Sequence, residues 1–267
     1  MNILRRSVLL GACSLIGCTH RAPVESVSTS PPSQLFLLAG QSNMAGRGVV
    51  EAQDTVAYDH VTMLDRHLSW VPATDPVHFD KPSAGVGPGR SFALTVHAAD
   101  PTLHIGLVPA AVGGSPISAW EPGALDTATG THPYDDAMAR ARVARRAGRF
   151  HAILWHQGES DATPARSVLY ASRLRTLIAR FRRDLAEPDL PFIIGELGQF
   201  PRTSWSAAKV RVDSAHRAIA TTTPNVAYVT SDGLDHRGDS LHFESAGARE
   251  LGRRYAAAYL ELSRKPR

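Results

Sequence analysis

A parallel β-sheet with helices on both faces is the fold this sequence predicts, and three observations carry it. Apolar runs of strand length recur at 35–39, 104–111, 152–156, 192–197 and 226–230. Segments of helical periodicity follow them at 90–99, 134–148, 165–185, 206–221 and 244–262, a repeated strand–helix alternation. With 267 residues, 43% hydrophobic and 20% charged, the chain is long enough for one sizeable core, and it shows no repeat or heptad run.

The first elements in chain order are not part of that body. Arg5-Arg6 followed by the apolar stretch 7–17 is an export pattern, too short to span a bilayer as a helix. Leu15-Ile16-Gly17-Cys18 resembles a bacterial lipobox, in which the cysteine is acylated and becomes the first mature residue; a plain secretory signal cut nearby is the alternative, and the twin arginines also raise the Tat route. The expected organisation is a signal over 1–17, a flexible Ser/Thr/Pro-rich tether over 18–33 and a folded body over 34–263. Cys13 then leaves with the signal and Cys18 carries lipid, so no disulfide can form. The protein is expected in the cell envelope, facing the periplasm or at the outer membrane, with an N-terminal lipid as its membrane contact. Removing Arg5 and Arg6 lowers the formal charge from +4 to +2, and the other arginines are scattered, densest at 140–149 and 173–183 where helical spacing makes them solvated faces. Nucleic acid is therefore not an expected partner.

The run 35–39 reads as a strand buried on both faces, and Gly40-Gln41-Ser42-Asn43-Met44 places Ser42 at its carboxyl end, where open parallel sheets bind ligands. The stretch 46–89, with Pro72, Pro76, Pro82 and Pro88, is expected to be an irregular surface excursion. After the second strand comes Gly113-Gly114-Ser115, where a bare backbone can approach a ligand. After the third comes His156-Gln157-Gly158-Glu159-Ser160-Asp161, which presents the Gln157 amide, and Asp239-Ser240-Leu241-His242 follows the last strand.

A serine hydroxyl needs an adjacent base, and that base an orienting group, before it is a useful nucleophile near neutral pH. The spacing Asp-x-x-His occurs also at Asp75/His78 and Asp213/His216. The second pair falls inside a helical segment and the first in a Pro-rich loop with no strand edge behind it, which leaves Asp239 and His242. Attack on an ester carbonyl further requires donors for the developing oxyanion, and the Gly113-Gly114 and Gln157 loops offer them. No H-x-H, H-E-x-x-H or Cys-His spacing suggests a metal site, and no cofactor is implied.

These blocks, in this order, resemble the SGNH hydrolase superfamily and within it the sialate O-acetylesterase and acetylxylan esterase-like branch of carbohydrate esterases. The resemblance spans residues 40–242. It implies a three-layer, flavodoxin-like α/β/α sandwich around about five parallel strands, with Ser42 as nucleophile, His242 as base and Asp239 as its orienting partner. It also implies an oxyanion hole of the Ser42 amide, a Gly114 amide (or that of Gly113) and the Gln157 side chain. Gln41, Asn43 and Glu159 are candidates for substrate contact or for supporting the site, and Asp232, Asp235 and Glu159 are alternative carboxylates for His242. The implied activity is removal of O-acetyl groups from a carbohydrate; the alternative is an inactive carbohydrate-binding or envelope-interaction lipoprotein of the same fold. Substrate choice is expected to lie in the 46–89 excursion and the 115–133 loop, with Trp70 and Trp120 either stacking on a sugar or anchoring their loops. Which acetylated sugar is bound, and the oligomeric state, stay open at this level.

Overall fold

The computed structural model describes residues 31–200 and 202–264. The signal, Cys18 and most of the tether lie outside the described residues. One sheet of seven strands organises the body, in the order β3-β2-β4-β1-β5-β6-β7. The strands are β1 (Gln34–Gly40), β2 (Val61–Leu64), β3 (Trp70–Pro72), β4 (Ile105–Pro109), β5 (Arg149–His156), β6 (Phe192–Gly195) and β7 (Val226–Val229). All pairings are parallel except that of β3 with β2. The helices are α1 (Ser42–Ala45), α2 (Pro88–Ala99), α3 (Pro133–Ala144), α4 (Pro164–Asp184), α5 (Ala207–Thr222) and α6 (Ser245–Arg264).

The five expected strands form the parallel centre, β4-β1-β5-β6-β7, and two further strands extend the sheet to seven. The additional hairpin β2–β3 comes from the 46–89 stretch. Its strands are four and three residues long, and Pro72 ends the outer one, where an edge strand tolerates a missing donor. Segments that short carry no readable alternation.

Along β1 the period of two separates the faces. Leu35, Leu37 and Ala39 join the core under α3, α4 and α5, whereas Phe36 and Leu38 join the core under α2 and α6. Three layers result. All five residues are fully buried, and burying each large one contributes roughly 1.5–3 kcal/mol, so the strand that ends at Ser42 is firmly held. Proline opens α2, α3 and α4, where its absent N–H is no loss, and the Thr163 and Ser206 hydroxyls cap α4 and α5 by accepting from the Arg166 and Lys209 amides. The α3 helix stops at Ala144, short of the expected 148. A Cβ on Gly148 would lie 2.4 Å from the Ser33 carbonyl, so the chain turns there to bring Arg149 N to Ser33 O and start β5. Among the described residues no helix is long and apolar enough to cross a membrane.

Candidate active site

The strand β1 ends in a glycine because nothing else fits. Gly40 has φ +124°, and a Cβ there would lie 2.1 Å from the His156 carbonyl oxygen. Gln41 N then donates to that carbonyl at 2.8 Å, and the chain winds into α1 with Ser42 as its first residue. Ser42 is 6% exposed, at the floor of a cleft of 390 Å³.

The loop between β7 and α6 brings its histidine to this floor. His242 Nε2 is 3.0 Å from Ser42 Oγ, and His242 Nδ1 is 2.7 Å from Asp239 Oδ2. The other carboxylate oxygen, Oδ1, accepts the Leu241 and His242 backbone amides at 3.0 and 2.8 Å. Burial acts to raise the Asp239 pKa, but those amides and the imidazole outweigh it and hold the carboxyl at about 2. With Asp239 ionised and hydrogen-bonded at Nδ1, the imidazole keeps Nε2 free to accept a proton from Ser42. Two of the alternative carboxylates are used elsewhere: Asp235 Oδ1 accepts His236 N, and Glu159 bonds Asn43.

The two rival pairs are structural. His216 is buried and meets Tyr170 Oη at 2.8 Å, while Asp213 bonds Arg217 and Tyr228. Burial depresses the His216 pKa to about 3 and that of His78 to about 4. Both imidazoles are therefore neutral across the physiological range.

Asn43, 3% exposed, ties the nucleophile turn to the histidine loop. Its Nδ2 donates to Leu241 O at 3.1 Å and to Glu159 Oε1 at 2.5 Å, and its Oδ1 accepts Phe243 N at 3.2 Å. The residues on both sides of His242 are thus gripped by the neighbour of Ser42.

The two glycines after β4 have different surroundings. Gly113 N donates to Asp80 Oδ2 at 2.9 Å, and Asp80 is in turn held by Arg47. Gly114, with φ +88°, lines the cleft, and neither its N–H nor that of Ser42 is bonded to a group among the described residues. Of the two candidates the free amide is therefore that of Gly114.

Gln157 is turned away from the cleft in this structure. It is 0% exposed and is not part of the cleft wall. Its Nε2 already faces Asp161 Oδ2 at 2.6 Å, Ser115 O at 3.2 Å and Gln41 Oε1 at 3.3 Å, more acceptors than it has hydrogens. The side chain binds three loops together behind the cleft. Because Gln41 Oε1 also accepts Ser160 N at 3.3 Å, the amide of Gln41, which does line the cleft, is fixed in orientation. Asp161 is fully buried, which raises its pKa, and its carboxylate also takes the Ile117 amide at 2.7 Å.

The 46–89 excursion supplies a wall of the cleft: Arg47, Lys81 and Ser83 line it, as does Ser160. No residue of 115–133 does so. Trp120 is buried edge-on against Trp155 with centroids 5.1 Å apart, an anchor and not a sugar platform, and Trp70 packs against the core. Among the described residues no three His, Cys, Asp or Glu side chains converge as metal ligands.

Residues 32–261 match the family described as carbohydrate esterase, sialic acid-specific acetylesterase. A probable carbohydrate esterase of Arabidopsis thaliana is 32% identical over 258 residues, covering 88% of this chain and 94% of the relative. The X-ray structure of that plant protein superposes with a TM-score of 0.76, covering 86% of this chain and 99% of its own. The crystal structure of NanS, 19% identical, superposes with a TM-score of 0.72 over 89% of this chain and 99% of its own, a likeness of fold.

Proposed function

The chain belongs to the sialic acid-specific acetylesterase family of carbohydrate esterases and is a carboxylic ester hydrolase, and from this premise we propose that it removes O-acetyl groups from a carbohydrate through an acetyl-serine at Ser42. The observation that carries the reading is the relay from Asp239 Oδ2 to His242 Nδ1 at 2.7 Å and from His242 Nε2 to Ser42 Oγ at 3.0 Å. His242 takes the Ser42 proton as Oγ attacks the acetyl carbonyl, and Asp239 stabilises the imidazolium that forms. The oxyanion is received by the N–H groups of Ser42 and Gly114, each such donor lowering the barrier by roughly 3–4 kcal/mol. His242 then protonates the departing sugar oxygen, which leaves as a free hydroxyl. Water, losing a proton to the same nitrogen, attacks the acetyl-serine, and acetate leaves as Ser42 regains its proton.

Gln157 acts behind this site by holding the Gln41 side chain, the Ser115 carbonyl and the Asp161 carboxylate, and Asn43 holds the base. Hydrolysis of a small chromogenic acetate ester by wild type, Ser42→Ala and His242→Ala tests the reading. Loss of at least about 10³-fold in both variants is expected, and equal rates in all three refute it. Export and acylation at Cys18 complete the proposal: a Cys18→Ser protein is expected to leave the membrane fraction, and its retention there at wild-type level contradicts lipid anchoring.

A further inference from the structure

The Asp239 side chain is 40% exposed, so packing does not aim it at His242; its direction is set by the backbone that carries it. That backbone is the tip of a short two-stranded stem. His236 and Phe243 form an antiparallel bridge, Arg237 N donates to His242 O at 2.9 Å, and Glu244 N donates to Asp235 O at 3.1 Å. Arg237 Nη1 ties the stem to the cleft wall through Arg47 O at 2.7 Å. Within the tip, Asp239 Oδ1 takes the amides of Leu241 and His242. The amides on either side of Asp239, those of Gly238 and Ser240, both donate to His236 Nδ1, each at 3.0 Å.

An imidazole nitrogen accepts only while it carries no proton, so His236 holds its hydrogen on Nε2 and offers one lone pair to two donors. The ring itself is fixed from the side of the body. Buried Phe200 meets it edge-on with centroids 5.2 Å apart and meets Phe243, the neighbour of the base, at the same separation. The tip needs such an anchor. Ser240 has φ +56°, a left-handed conformation that a non-glycine residue keeps only where its surroundings hold it, and Gly238 has φ +106°. Without an acceptor at Nδ1 the two amides turn to water, the tip relaxes, and the carboxylate moves off His242 Nδ1.

Building on the esterase reading above, we propose that His236 is a positioning residue for the reaction: its Nδ1 gathers the amides on both sides of Asp239 and so aims the carboxylate at the base. It touches neither substrate nor reacting atoms and acts through Asp239 alone.

Initial rates on a chromogenic acetate for wild type, His236→Phe and His236→Asn, each alone and combined with Asp239→Asn, test this. Phenylalanine keeps a ring against Phe200 but removes the acceptor, whereas asparagine places Oδ1 where Nδ1 stood and gives up the ring. His236→Phe is expected to lower kcat on the order of 10²-fold with KM within about threefold, and His236→Asn to lose less than about tenfold. In the Asp239→Asn background His236→Phe should cost less than about threefold, because its effect runs through a carboxylate already removed. Nitrogen-15 shifts of the wild-type side chain, which depend on no variant folding, should show Nδ1 unprotonated and Nε2 protonated. A His236→Phe protein at least as active as His236→Asn is what packing alone would give. That result, a full 10²-fold loss persisting in the Asp239→Asn background, or a proton on Nδ1 overturns the inference and leaves the esterase reading standing. Absence of Ser42-dependent hydrolysis of the chromogenic ester overturns both.

Discussion

Replacing Asn43 with alanine separates the nucleophile turn from the histidine loop without touching any of the reacting atoms. Three hydrogen bonds are lost: Nδ2 to Leu241 O, Nδ2 to Glu159 Oε1, and Phe243 N to Oδ1. Two are neutral, at about 1 kcal/mol each, and the one to a carboxylate contributes roughly 1.5–3 kcal/mol. Water entering from the cleft recovers part, so a net loss of about 3 kcal/mol is expected, a fall in Tm of roughly 6–12 °C for a domain of this size. The kinetic effect is more diagnostic. Leu241 and Phe243 flank His242, and a displacement of the imidazole by about 1 Å costs on the order of 10²-fold in rate. Asn43 is not part of the cleft wall, so the loss is expected in kcat, with KM within about threefold. Glu159→Gln retains an acceptor for Asn43 Nδ2 and is expected to lose less than about tenfold. Initial rates on a chromogenic acetate, with calorimetry on the same samples, give both readouts. A wild-type kcat alongside the expected fall in Tm would refute the positioning argument, as would a loss confined to KM.

Asp239→Asn is expected to lower kcat by roughly 10³–10⁴-fold with little change in fold, measured by the same assay. An amide in that place turns its NH₂ either to His242 Nδ1, which selects the tautomer with the proton on Nε2, or to the Leu241 and His242 amides, where it opposes donors. Since the carboxyl is held at about 2, below its ordinary 3.8, the stability it contributes is present above pH 3.8 and is lost as pH falls through about 2. Gly113→Ala should lower Tm more than Gly114→Ala: the first Cβ falls 2.2 Å from Arg47 Nη2 and 2.7 Å from Asp80 Oδ2, whereas the second meets only Lys81 Nζ at 3.9 Å and carries the strain of φ +88°, about 1–2 kcal/mol. Burial raises the Asp75 pKa from 3.8 to about 7, against the Gly87 amide that lowers it, so the folded state binds its proton more tightly. Stability from this group is complete below pH 3.8 and is lost as pH rises through about 7, and Asp75→Asn should therefore stabilise more at pH 8 than at pH 5 in urea unfolding. An equal effect at both values refutes that assignment.

The parallel centre was legible in the sequence because its strands lie in continuous apolar runs, fully buried over 35–39, 105–109, 152–156 and 192–195, and because helix starts carry their own signals, such as Pro164 after Thr163 and Ser206 before α5. The β2–β3 hairpin was not, since Val61–Leu64 and Trp70–Pro72 are too short for a period to show. Ser42, Asp239, His242 and the Gly113-Gly114 turn could be found because each follows a recognisable strand end. The orientation of Gln157 was not legible: position at a strand end says nothing about which way a side chain turns, and here Asp161, only four residues on, draws the amide inward. Arg47, Asp80 and Lys81 come from an irregular stretch where neither periodicity nor turn chemistry marks the wall of a cleft. The dependence of Gly113 on Asp80 is a long-range contact that no local pattern encodes.

The central claim is that Ser42 forms a covalent acyl-enzyme with His242 as its base. Reaction of the purified protein with a fluorophosphonate, followed by peptide mass mapping, tests it most directly. The account predicts stoichiometric loss of activity with a single adduct on Ser42, and labelling strongly slowed in His242→Ala. Modification of another residue such as Ser115 or Ser160 in step with inactivation, or full esterase activity retained after Ser42 is blocked, contradicts it.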